Sequence, residues 1–93
     1  MTTTATLAEG STFAAKRMQA SEGTSFPRHK ASLESVLVVT AGRCLVRYAD
    51  RTETLEVGDT AVIPADDWHQ VEADPDFVAT HVMPREIRFT FSA

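Results

Sequence analysis

At 93 residues and a formal net charge of −4, the chain has room for one hydrophobic core, because two would each be too small to offset chain entropy. The nine basic residues are scattered among thirteen acidic ones, which excludes the contiguous basic surface that nucleic acid requires. A lone cysteine, Cys44, excludes an internal disulfide framework and suits a reducing compartment, and no apolar run approaches membrane-spanning length.

The opening MTTTATLAEG carries neither a basic cluster nor an apolar stretch, so it does not read as a secretory signal. A flexible segment is expected over residues 1–11, ahead of a single domain over residues 12–93 in a cytoplasmic protein. From there, short apolar-alternating segments separated by turn clusters predict an all-β sandwich or barrel. Residues 13–18 form a first strand. Residues 32–40 form the central one, since Leu33 and Val36, Leu37, Val38 and Val39 put apolar groups on both of its faces. Gly42 should break that run, after which Cys44, Val46 and Tyr48 alternate with Arg43, Leu45 and Arg47 as a half-buried strand does. Asp50-Arg51 forms a hairpin tip, residues 54–57 pair back, Gly58-Asp59 turns, and residues 60–63 run until Pro64 stops them. Residues 69–73 follow a polar loop. Asp74-Pro75-Asp76 is expected as a turn, residues 77–83 as a strand, and residues 86–91 as the last strand, with Ile87, Phe89 and Phe91 on one face. A domain this small buries a limited share of its surface, and Val36 and Val38 should face outward, so a homodimer is expected, with residues 13–18 and 86–91 contributing to it.

Two spaced patterns stand out. Gly23 is followed after five residues by His29 and later by Gly42; Gly58 is followed after five residues by Pro64 and after four more by His69. Together they resemble the two signature motifs of the cupin superfamily, over residues 12–83. The resemblance implies a cupin-type double-stranded β-helix, or jelly-roll barrel. In the family's first motif a second histidine and a glutamate follow the first histidine; here Ala31 and Ser35 occupy those places. In the second motif Asp66 replaces a glycine and Ala73 an asparagine. Metal-binding cupins gather both histidines and the glutamate of the first motif, with the histidine of the second, around a divalent ion. The resemblance therefore makes His29 and His69 the surviving half of such a set.

Two imidazoles fall short of the three protein ligands that a stable transition-metal site needs. His81 on a late strand, Cys44, and Glu34 beside the vacant glutamate place are the substitute candidates, although Glu34 has the wrong strand parity and would need a bulge to turn inward. The expectation is no tightly held metal, with a divalent zinc, iron, manganese, nickel or copper ion and a substitute ligand as the alternative. Without a metal, His29 and His69 are either satisfied interior polar groups, bonded to each other, to Ser35 or to water, or acid–base groups of the kind a cleft histidine supplies near neutral pH. Some cupins, sugar-nucleotide epimerases among them, use a histidine and no metal.

The pocket is expected between His29, Ala31, Ser35 and Leu37 on one side and Cys44, Val46, Tyr48, His69 and Val71 on the other. Ser35, Cys44, Tyr48 and Trp68 would touch a ligand. Trp68, following Asp66 and Asp67 in the loop before His69, either stacks on that ligand or covers barrel or dimer surface. Arg28 and Lys30 flank His29 and read as surface charge. Three functions stay open: a metal-poor barrel that binds or isomerises a small organic molecule, a metal-dependent dioxygenase, isomerase or decarboxylase, and a dimeric sensor or accessory module without catalysis.

Overall fold

Two long strands with alternating apolar residues organise the molecule. In the computed structural model, which describes residues 1–92, β4 (Ser35–Tyr48) and β7 (His69–Pro84) pair antiparallel from Val36↔Val82 to Tyr48↔His69. Around them lie β1 (Thr2–Glu9), β2 (Phe13–Ala20), β3 (His29–Ala31), β5 (Thr52–Glu56), β6 (Thr60–Ile63) and β8 (Phe89–Phe91). All eight belong to one sheet. One run has the order β1-β2-β7-β3-β8, and β4 joins β5, β6 and β7. The sheet curls into a barrel, so that the inward halves of its strands face one another, and no helix occurs among the described residues.

The turns expected at Gly42 and at Asp74-Pro75-Asp76 are bends inside β4 and β7 instead, and each pair of expected short strands is one long one. At the bend of β4 the register shifts on either side of Ala41-Gly42, and the inward residues change from Ser35, Leu37 and Val39 to Cys44, Val46 and Tyr48. A β-bulge produces this change of parity by adding one residue to one strand only. Gly42 makes it possible. Its φ is +71°, and a Cβ there would collide with the backbone carbonyl of Asp76 in the facing bend. Arg43 Nε ties the two bends together by donating to the Asp74 carbonyl at 2.7 Å.

Both ends of the chain also differ from expectation. Residues 2–9, expected in a flexible segment, form β1, which pairs with β2 from Thr2↔Ala20 to Glu9↔Ala14 while almost all its side chains stay exposed. Backbone pairing and β-branched threonines suffice for such a strand; with no buried face it leaves no apolar alternation to read. The last strand shrinks to Phe89–Phe91, because Ile87 N–H donates to the Pro84 carbonyl and closes a turn where it was expected to begin.

The core is continuous. Leu37, Val39, Cys44, Val46, Phe77 and Ala79 are fully buried, and Phe26, from the β2–β3 connection, packs edge-on against Phe77 with ring centroids 6.2 Å apart. Each large apolar side chain buried in this way stabilises the barrel by roughly 1.5–3 kcal/mol.

Candidate functional site

β3 and β7 meet at a single rung, His29↔His69. Both histidines are inward by alternation, and both rings are oriented in the same way: His29 Nδ1–H donates to the Pro27 carbonyl at 2.8 Å and His69 Nδ1–H to the Asp67 carbonyl at 2.9 Å. A carbonyl only accepts, so Nδ1 carries a proton in each ring, and in the neutral form of the ring Nε2 presents a lone pair. The rings stand edge to face with centroids 4.5 Å apart.

They border a cavity of about 330 Å³. Phe26, Leu37, Ile63 and Val71 give it an apolar floor, while Phe89 and Phe91 on β8 close over His29 at 5.4 and 5.6 Å between ring centroids. A third histidine, His81, lines the same space, and its Nε2 shares a 2.7 Å hydrogen bond with Ser35 Oγ. Among the described residues no aspartate or glutamate borders the cavity; Lys16 does.

Burial sets the protonation states. It lowers the His69 pKa below the ordinary imidazole value, against a partly opposing hydrogen bond to the Asp67 carbonyl, and it lowers His81 to about 4, helped by the neighbouring charges of His29, His69 and Lys16. His69 and His81 are therefore neutral at pH 7. Chemically, the site offers imidazole nitrogens able to accept a hydrogen bond or a proton, in an apolar chamber with one cation at its wall.

The structure brings His29, His69 and His81 together, keeps Leu37 and Val71 at the cavity as expected, and sets the other expected residues apart, Ala31 and Val46 being buried in the core away from it. Cys44 is sealed in the core, where burial pushes its thiol up to about 11, and it does not touch the cavity. Tyr48 is also packed away. Its ring lies 6.0 Å from that of His69, under the Arg51 guanidinium at 3.9 Å, and its hydroxyl has no hydrogen-bond partner among the described residues. Ser35 is buried behind His81 and acts on the cavity only through that histidine. Trp68 precedes an inward residue and so points outward, where Arg28 and Lys30 lie 4.6 and 5.3 Å from its ring. Glu34 is exposed in the connection between β3 and β4, where no bulge turns it inward. Sequence reading missed Lys16, Met18 and Met83 as cavity residues. Lys16 shares parity with the buried Ala14 and Met18, a signal that was present but read only as scattered charge.

The residues do not fit a cupin metal centre. Among the described residues no group of three or more histidine, cysteine, aspartate or glutamate side chains converges on a point, and the third imidazole is engaged by Ser35. A second depression of about 390 Å³, beside Asp76 and Phe77 at the bend of β7, holds no histidine. There the Asp76 carboxylate accepts a hydrogen bond from the Glu22 N–H.

Residues 18–90 match the family model of the AraC-like ligand binding domain, and no curated protein matches the chain. Among solved structures, a cupin 2 domain-containing protein from Halorhodospira halophila has a TM-score of 0.90 at 20% identity, over 99% of this chain and 70% of that one. A cupin-2 domain containing protein from Shewanella frigidimarina has a TM-score of 0.81 at 23% identity, over 89% and 80%. Salicylate 1,2-dioxygenase from Pseudoaminobacter salicylatoxidans has a TM-score of 0.87 at 16% identity; the match takes in 99% of this chain and 29% of the dioxygenase. Identities this low speak for the fold.

Proposed function

This chain belongs to the family of AraC-like ligand binding domains, a cupin-type barrel, and on that premise we propose that it binds a small organic molecule in the cavity around His29 and His69. The observation that carries the reading is the pair of imidazoles whose Nδ1–H groups are both held by carbonyls, so that two acceptor nitrogens meet an apolar chamber. Small-molecule sites combine apolar walls with a few fixed polar groups in this way. A ligand with a hydroxyl or N–H donor satisfies the nitrogens. One with an acidic proton can pass it to His69, which is neutral at pH 7, and an isomerisation would follow from returning that proton to a different atom.

Two further parts belong to this reading. The protein works without a tightly held metal, since two free imidazoles lose a divalent ion readily to a chelator. It is also a cytoplasmic homodimer, joined over the outer face where Val36 pairs with Val62 and Val82 and Val62 is 55% exposed. Elemental analysis finding about one metal per chain would remove the first part, and light scattering from a monomer at micromolar concentration would remove the second.

A second reading, a sensor that binds without catalysis, draws support from the family match alone. The test for both is calorimetric screening of small organic molecules against the wild type and the His29→Ala, His69→Ala double variant. Binding lost in the variant supports the cavity, and binding unaffected by it overturns the reading. Recovery of the bound molecule, converted or unchanged, separates the enzyme from the sensor.

A further inference from the structure

We propose that the molecule bound in this cavity is a small organic anion whose carboxylate is held by Lys16. The inference rests on the ligand-binding reading above and adds the charge of the ligand and the residue that selects it.

Lys16 lies on β2 between Ala14 and Met18, both buried, and strand alternation aims it to the same inner side. It is half-buried, it borders the cavity, and it stands opposite His81 in the β2–β7 register. The other lysines and arginines of the barrel stay off the cavity, Arg17 and Arg88 as exposed residues. Arg43, Arg47, Arg51 and Arg85 pair with carboxylates at the surface, and Arg28 and Lys30 lie against Trp68. Among the described residues no carboxylate comes within 4.0 Å of Lys16.

A lysine at the wall of a chamber that no aspartate or glutamate borders among the described residues has no anionic partner in the protein, and a ligand's carboxylate supplies one. With His69 and His81 neutral at pH 7, Lys16 is the one lysine or arginine among the described residues that borders the cavity. The remaining features shape the rest of the ligand. Phe26, Phe89 and Phe91 suit a flat or branched apolar body, and the Nε2 atoms of His29 and His69 suit a hydroxyl or N–H donor on it. A cavity of about 330 Å³ is at the small end for organic ligands. The class is therefore an aryl or short-chain carboxylate bearing a donor group.

Calorimetry and thermal shift with benzoate and 3-hydroxybenzoate, against their neutral isosteres benzamide and 3-hydroxybenzamide, test this. The carboxylates should bind about tenfold to a hundredfold more tightly, the range expected when a hydrogen bond to a charged group is lost. Lys16→Met should abolish the preference, Lys16→Arg should retain it, and Arg28→Ala should leave it unchanged. Lys16→Gln serves if the methionine variant does not fold. Equal binding of acids and amides by the wild type, or a preference that survives loss of the lysine, overturns the anion assignment and leaves the cavity reading standing. Binding of neither series overturns both.

Discussion

The strands β4 and β7 direct side chains inward on both sides of their bends, yet the two halves of the barrel use them differently. Near the bends, Val39, Cys44, Val46, Phe77 and Ala79 meet face to face and exclude water completely. Towards β3, residues with the same inward geometry, among them Lys16, His69, His81 and Met83, surround open space. The difference lies in what covers each half. The closed half is backed by long paired strands, whereas the open half is roofed by β3 and β8, of three residues each, and by Thr4 from β1. An inward position is thus necessary for both core and pocket, and the volume supplied by the facing element decides which one it becomes.

The sharpest way to break this division is to truncate one phenylalanine from each half. Phe77→Ala in the closed half should cost about 3–5 kcal/mol in urea denaturation, the range for a large buried aromatic. Phe91→Ala in the roof, where the side chain is 59% exposed, should stay within about 0.5 kcal/mol while weakening ligand binding. Similar costs at both sites would mean that the halves are not distinct. The bend itself is next. Gly42→Ala combines a positive φ with a backbone collision and should cost about 3 kcal/mol. Gly58→Ala, at φ +90° with open space beside it, should cost about 1 kcal/mol. Equal denaturation midpoints for the two would show that the bulge is not a packed feature.

The smallest effect probes the open half through pH. The folded-state pKa of His81 is about 4, below the ordinary value of 6.5, so between those values the unfolded chain binds more protons than the folded one. Stability is then complete above about pH 6.5 and is lost as pH falls towards 4. Between pH 7 and pH 5 the loss from His81 amounts to about 2 kcal/mol. His69, shifted in the same direction, adds to it. His81→Gln should remove the larger share of this slope in denaturation curves, and an unchanged slope would place the titration elsewhere.

Much of this architecture is legible in the chain alone, because strand alternation and turn chemistry are local. Thr60–Ile63 falls where its alternation and Pro64 put it, and the glycine–histidine spacings carry the barrel resemblance and bring His29 beside His69. Residues that face inward could be named from parity, including Cys44, Tyr48 and Lys16. Parity is silent on what stands opposite, so Cys44 and Tyr48 were expected at a ligand while Lys16 was passed over. Only the folded sheet decides these cases. It closes the core over Cys44 and opposes Lys16 to His81 across the β2–β7 rung. It also carries β4 and β7 through Gly42 and Pro75, which read as strand ends. Those outcomes depend on contacts between residues far apart in the chain. A local pattern records that a glycine or a proline bends the backbone, and the facing strand determines whether the bend is a turn or a bulge.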